Sequence, residues 1–169
     1  MEASKVKLCA PLQQLKDEHV SLRADMNQFY EIAEEIESES GSTVVELFAT
    51  LYHQVSAFAQ KLKIHSKRED EGLFPMMARR LGEHDRTIEN MESEHEKAEQ
   101  HLQDFLTEAK LAGTTLDEDD AQAITVSAVQ AHATLTQHFA KEEKMLFPLG
   151  EEILSVEEKK ELERLFRVL

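Results

Sequence analysis

The sequence predicts an all-α protein, an antiparallel up-down-up-down four-helix bundle with a short C-terminal helix, on three observations. Helix breakers are scarce, with five glycines and three prolines in 169 residues against abundant Glu, Leu, Ala and Lys, so helix is favoured and no sheet is expected. Four segments carry apolar residues at alternating steps of three and four, the period of one helix face. Their connections are short, which makes consecutive helices antiparallel neighbours. A chain of this length forms one domain with a core of its own: residues 1–169, with the bundle over about 11–149.

The first helix begins at Pro11, a residue suited to a first helical turn. Its seam runs Leu12, Leu15, His19, Leu22, Met26, Phe29, Ala33, Ile36. It stops in the polar run around Gly41, where Ser or Thr is available to cap the next helix. The second seam runs Val44, Phe48, Leu51, Val55, Phe58, Leu62, His65, Glu69. Pro75 lacks the amide hydrogen of a continuing helix, so this helix is expected to end near Leu73, with one short turn over Met76 to Leu81. The third seam runs Ile88, Met91, His95, Ala98, Leu102, Phe105, Ala109, and Gly113 terminates it. The fourth follows an acidic start at Asp117 that suits a helix N-terminus. It reads Ala121, Ile124, Ala128, Ala131, Leu135, His138, Glu142, Met145, with Pro148 and Gly150 as its end. Ser155 and Glu158 form a candidate capping box. The C-terminal helix behind it offers Leu162, Leu165, Phe166 and Leu169 either as a lid or as a partner surface.

One stretch occurs twice. His65 and Glu69 stand four apart ahead of Leu73-Phe-Pro75, and His138 and Glu142 stand four apart ahead of Leu146-Phe-Pro148. Residues four apart share a helix face, so each copy aims an imidazole and a carboxylate at one spot, a pairing that borderline metals such as iron accept. His19 lies eight positions after Pro11, ~12 Å along the helix, and His65 lies at a similar distance before Leu73. In an up-down pair those ends are adjacent, and His95 and His138 meet by the same reasoning near one end of the core. Each half of the chain therefore supplies one lone histidine and one His-x-x-x-Glu pair. Six ligands are too many for one tetrahedral ion. Two ions bridged by Glu69 and Glu142, with two histidines each, use them all and leave open positions for a small ligand.

The alternative is a metal-free structural bundle, since a single seam histidine is usually a hydrogen-bonded core residue. Four of them beside two carboxylates argue otherwise, because burying Glu69 and Glu142 without a cation is costly. His53, His84, His101 and His132 lie off the ligand seams and read as bystanders. Phe58, Leu62, Leu135 and Met91 are core residues placed to keep the site dry.

A net charge of −15 and an isoelectric point near 4.9 disfavour nucleic acid and anionic membrane surfaces as partners. No run approaches a membrane span. Met1 to Leu12 lacks the apolar stretch of a signal peptide, and the lone cysteine, Cys9, sits in an expected mobile N-terminal arm without a partner thiol. A reducing, cytoplasmic location is the expectation.

The order of the six residues, with each pair leading into Leu-Phe-Pro, resembles the hemerythrin-like family, the HHE cation-binding domain, over about residues 11–148. The resemblance implies a non-haem di-iron site, two iron ions with His19, His65, His95 and His138 as terminal ligands and Glu69 and Glu142 as bridges. There are departures. Oxygen-carrying members place a second histidine where this chain has Glu99, which becomes a candidate extra ligand, and their helix-four acid is an aspartate one residue further on. Two functional classes follow. One binds dioxygen, nitric oxide or peroxide at an open position for sensing, storage or delivery; the other is a redox enzyme reducing peroxide or nitric oxide, or serving iron supply and iron-sulfur repair.

Overall fold

The computed structural model describes residues 6–169; of the expected domain, positions 1–5 lie outside the described residues. In chain order the helices are α1 (Ala10–Ser38), α2 (Ser42–Arg68), α3 (Phe74–Leu81), α4 (Thr87–Ala112), α5 (Glu118–Lys141), α6 (Phe147–Ile153) and α7 (Val156–Val168). The described residues contain no strand. α1 packs on α2 and α5, and α4 packs on α5 and α2, which is the expected up-down-up-down square. All the seam residues expected for α1 and α4 are buried. Gly113, with φ at +52°, ends α4, and Asp117 caps α5 by accepting from the Asp120 amide at 2.8 Å. At the start of α2 the expected side-chain cap is missing: Gly41, at φ +77°, takes the cap position instead.

The two Leu-Phe-Pro segments correct the expected helix ends. α2 runs through a π-helical turn over Glu69–Leu73 straight into α3, and α5 runs through a second over Glu142–Leu146 into α6. In each turn an amide bonds five residues back, Phe74 to Glu69 and Phe147 to Glu142. A proline in a continuing α-helix clashes with the carbonyl four residues earlier. One extra residue in the turn removes that conflict, and such π turns recur at functional sites. The wider turn also shifts the phase of the face. Met145, expected on the seam, is 46% exposed, while Leu146 is fully buried in its place.

These continuations build a second apolar layer. One core cluster holds Leu22, Phe58, Leu62, Ala98 and Leu135; the other holds Leu15, Leu73, Phe74, Met91, Leu146 and Phe147 together with Leu162 and Phe166 of α7. His19 falls between Leu15 and Leu22, His65 between Leu62 and Leu73, His95 between Met91 and Ala98, and His138 between Leu135 and Leu146. Every bundle helix thus passes from one cluster to the other through its histidine. The polar layer is sandwiched, rather than lying at a bare end of the core. α7 opens on the expected capping box of Ser155 and Glu158 and turns Leu162 and Phe166 inward, with Leu165 and Leu169 half-buried behind them, so it covers the second cluster. Cys9 is not in a loose arm: it is the N-cap residue of α1, and its amide donates to Glu151 Oε2 at 2.8 Å, a carboxylate that the extension into α6 puts there.

Candidate metal centre

His19, His138, Glu69 and Glu142 are fully buried, and His65 and His95 nearly so. They form two groups of four: His19, His65, Glu69 and Glu142 in one, Glu69, His95, His138 and Glu142 in the other, with one candidate ligand atom of each lying within 4.8 Å of those of its group. Both groups contain both carboxylates. Glu69 Oε1 stands 3.3 Å from His65 Nε2 and 3.2 Å from His95 Nε2, while Glu142 Oε1 stands 3.4 Å from His19 Nε2 and 3.0 Å from His138 Nε2. Each carboxylate therefore joins a histidine of one group to a histidine of the other.

These short separations are not hydrogen bonds. Both oxygens of Glu69 and of Glu142, and Nε2 of His19, His65 and His138, are buried without a hydrogen-bond partner among the described residues. Leaving so many polar atoms unsatisfied is costly, and two buried carboxylates need positive charge beside them. Cations bound between the imidazoles and the carboxylates meet both demands, so this donor set of nitrogen and oxygen fits a pair of transition-metal ions. Without a cation, protons do part of that work. Burial opposes charging His65, but Glu69 and Glu18 outweigh it and raise its pKa to about 9. For His95 burial is likewise overcome, by Asp70 and Glu69, again to about 9. Burial and the neighbouring His65 push His19 down to about 4, and burial with His95 lowers His138. Each group then holds one histidine prone to a proton and one held neutral.

The chain matches the model of the hemerythrin HHE cation binding domain over residues 10–150. It belongs to the hemerythrin HHE cation-binding family. No curated protein compared with it matches.

Around this hemerythrin-type centre stand four carboxylates not anticipated from the sequence. Glu18 Oε1 lies 2.8 Å from His65 Nδ1, Glu94 Oε2 2.7 Å from His138 Nδ1, and Asp70 Oδ1 3.0 Å from His95 Nδ1. Glu143 Oε2 lies farther off, 3.5 Å from His19 Nδ1. A carboxylate on Nδ1 fixes the tautomer that turns Nε2 to a metal and makes the imidazole a stronger donor. A signal was available: each is the chain neighbour of a candidate ligand, Glu18 before His19, Glu94 before His95, Asp70 after Glu69 and Glu143 after Glu142. Three aromatic rings line the layer. Phe139 stacks on His19 with ring centres 4.2 Å apart, Phe74 stacks on His95 at 5.3 Å, and Phe147 lies 5.6 Å from His19. Phe58, Leu62, Leu135 and Met91 are buried as expected.

Glu99 is a correction. The face of α4 continues from His95 through Ala98, three residues on, which turns Glu99 outward; it is exposed and belongs to neither group. Among the described residues, this hemerythrin-like chain therefore has two histidines per group and no fifth nitrogen or third carboxylate. His53 and His84 are exposed, His101 is half-buried, and His132 stacks on Tyr30 with Nε2 3.0 Å from Asn27 Oδ1, all away from the centre. A pocket of about 180 Å³ between α1 and α2, lined by Glu18, Leu22, Lys61, Ile64 and Arg68, reaches His65. No helix among the described residues is long and apolar enough to cross a membrane.

Proposed function

We infer that this is a non-haem di-iron protein whose centre binds a small ligand, dioxygen, nitric oxide or peroxide, for sensing, storage or delivery. The observation that carries the reading is the sharing of Glu69 and Glu142 by two otherwise separate histidine pairs. His19 and His65 would hold one ion, His95 and His138 the other, and the two carboxylates would bridge them. Two divalent ions against two carboxylates and four neutral imidazoles leave net positive charge and fewer protein ligands than iron can accept, so a small anionic or reducible molecule complements the site. Bound iron supplies an exchangeable, redox-active position. The chain's part is to hold Nε2 of each histidine inward, to exclude bulk water with Phe74, Phe139 and Phe147, and to admit only small molecules.

Binding is favoured over turnover because, among the described residues, no spare acid or base stands in the layer. Besides the six residues, the buried polar side chains among those described are Ser66 and Thr125, and the Nδ1 carboxylates already serve the histidines. A cytoplasmic location and the absence of nucleic-acid or membrane partners belong to the same reading, in keeping with a net charge of −15. The test is the visible spectrum of iron-loaded protein titrated with azide, then challenged with nitric oxide or peroxide and a reductant. A shifted charge-transfer band and a stable, reversible adduct are expected. An unchanged spectrum at saturating azide contradicts the open site, and steady turnover assigns the centre to a redox enzyme instead.

A further inference from the structure

The two halves of the centre repeat each other in their ligands and in the acids and cations that touch them, but they differ at a position that bears on one lone histidine. Glu18 and His19 correspond to Glu94 and His95, and His65, Arg68, Glu69 and Asp70 correspond to His138, Lys141, Glu142 and Glu143. Arg68 holds Glu18 at 2.9 Å, and Lys141 pairs with Glu94 in the same way. The difference comes four residues after the lone histidine, where the first half has Arg23 and the second has Glu99.

Arg23 forks onto Glu143, Nη1 reaching Oε1 at 3.0 Å and Nη2 pairing with Oε2. A guanidinium–carboxylate fork is strong and geometrically fixed, and here it claims both oxygens. Glu143 is left 3.5 Å from His19 Nδ1, which has no hydrogen-bond partner among the described residues. At the corresponding place Asp70 pairs with no arginine or lysine among the described residues and lies within hydrogen-bonding distance of His95, at 3.0 Å. Among the described residues, His19 is therefore the one histidine of the four without a carboxylate hydrogen-bonded to Nδ1.

We propose that Arg23 is a positioning residue that makes the two metal positions unequal, so that the ion held by His19 and His65 is bound more weakly and exchanges first. The proposal rests on the two-ion reading above. A carboxylate on Nδ1 raises the donor strength of an imidazole, and losing such a partner costs 10–100-fold in metal affinity. Arg23 imposes that loss on His19 alone and adds a positive charge on the same side. The charge reversal at Glu99 spares His95.

The test uses full-length protein loaded anaerobically with Co²⁺, whose visible bands report each ion, titrated with a competing chelator. Wild type should release two ions in two steps separated by roughly tenfold or more in chelator concentration. Arg23→Met frees Glu143 to turn to His19 and should move the first step toward the second by about tenfold, leaving the second in place. Arg23→Lys keeps the charge but cannot fork onto both oxygens, and Glu94 stays on His138 Nδ1 while paired with Lys141, so this variant should also move the first step toward the second, by less than Arg23→Met. Glu99→Arg, at an exposed position that the fold tolerates, brings a competing cation to Asp70 and should weaken only the second step; Asp70→Asn should do the same. Two ions leaving together in wild type, or an Arg23→Met change that moves both steps equally, overturns the proposal while leaving the two-ion centre standing. A total of one ion or none overturns both.

Discussion

Glu142 has no exposed surface and no hydrogen bond to either oxygen among the described residues, so its worth should depend on whether a cation is present. Glu142→Leu should lower metal content and the melting temperature of the loaded protein. In the metal-free protein the same change removes a poorly solvated carboxylate and should be neutral or stabilising by about 1–4 kcal/mol. Metal analysis and thermal melts with and without chelator read both effects, with His101→Leu as a control that keeps its metal. Glu94→Ala, which takes the carboxylate from His138 Nδ1, should weaken metal binding by roughly 10–100-fold with the helical content unchanged; equilibrium competition and circular dichroism together check it. For metal-free protein, His65 carries a pKa raised to about 9 by Glu69 and Glu18 against burial. A raised histidine stabilises the fold fully below its unfolded value and loses that contribution as pH rises through the folded value. The metal-free protein should therefore lose stability from about pH 6.5 to 9, and melts across that window should show metal-induced stabilisation growing with pH. At this scale the six inward residues could be read because a helix face admits few polar side chains, and each stood on one. Glu18, Asp70, Glu94 and Glu143 were not read because a partly exposed acid on a helix looks like any solvated charge until the neighbouring helix is in place. Glu99 failed for a related reason: whether a face steps on by three or by four is decided by packing.

The π turns carry Glu69 and Glu142, and two glycines, Gly72 within the first turn and Gly150 just past the second, should behave oppositely. A Cβ on Gly72 would stand 3.0 Å from Leu162 Cδ1 and 3.1 Å from Phe166 Cε1, both buried side chains with little room to move. Gly72→Ala should push α7 outward and cost roughly 1–3 kcal/mol despite the gain in helix propensity. At Gly150 the nearest atom is Met77 Sδ at 3.3 Å, the adaptable end of a flexible chain. Gly150→Ala should be neutral or stabilise by up to about 1 kcal/mol. Urea melts of the two variants provide the comparison, and equal losses at both sites would contradict the assigned contacts. The bundle helices were legible from periodicity, whereas Pro75 and Pro148 read as helix ends because a sequence pattern assumes 3.6 residues per turn. A turn that absorbs one more residue keeps the chain helical past the proline and delivers Leu146, not Met145, to the core.

Over the whole molecule, the polar layer divides two apolar clusters, and all four bundle helices cross it. Ions that bind only the assembled layer stabilise the entire fold, by about 2.7 kcal/mol at a free concentration one hundred times the dissociation constant. Chelation should accordingly lower the single melting transition rather than split it; a melt that ignores chelator would place the six residues in a purely structural role. The sequence made the four-helix order and the duplicated half-sites visible, since both are written in short-range spacing. It did not reveal the second cluster, which needs α3, α6 and α7 from distant parts of the chain to meet.

If His19, His65, Glu69, His95, His138 and Glu142 form a two-ion centre, metal per chain reads it without further assumption. Protein purified from iron-replete cells, with loosely held metal removed by gel filtration, is to be assayed for all transition metals against its amino-acid content. Two ions per chain are expected, iron in both positions. A saturating value of one ion, or of none, would contradict the two-ion centre.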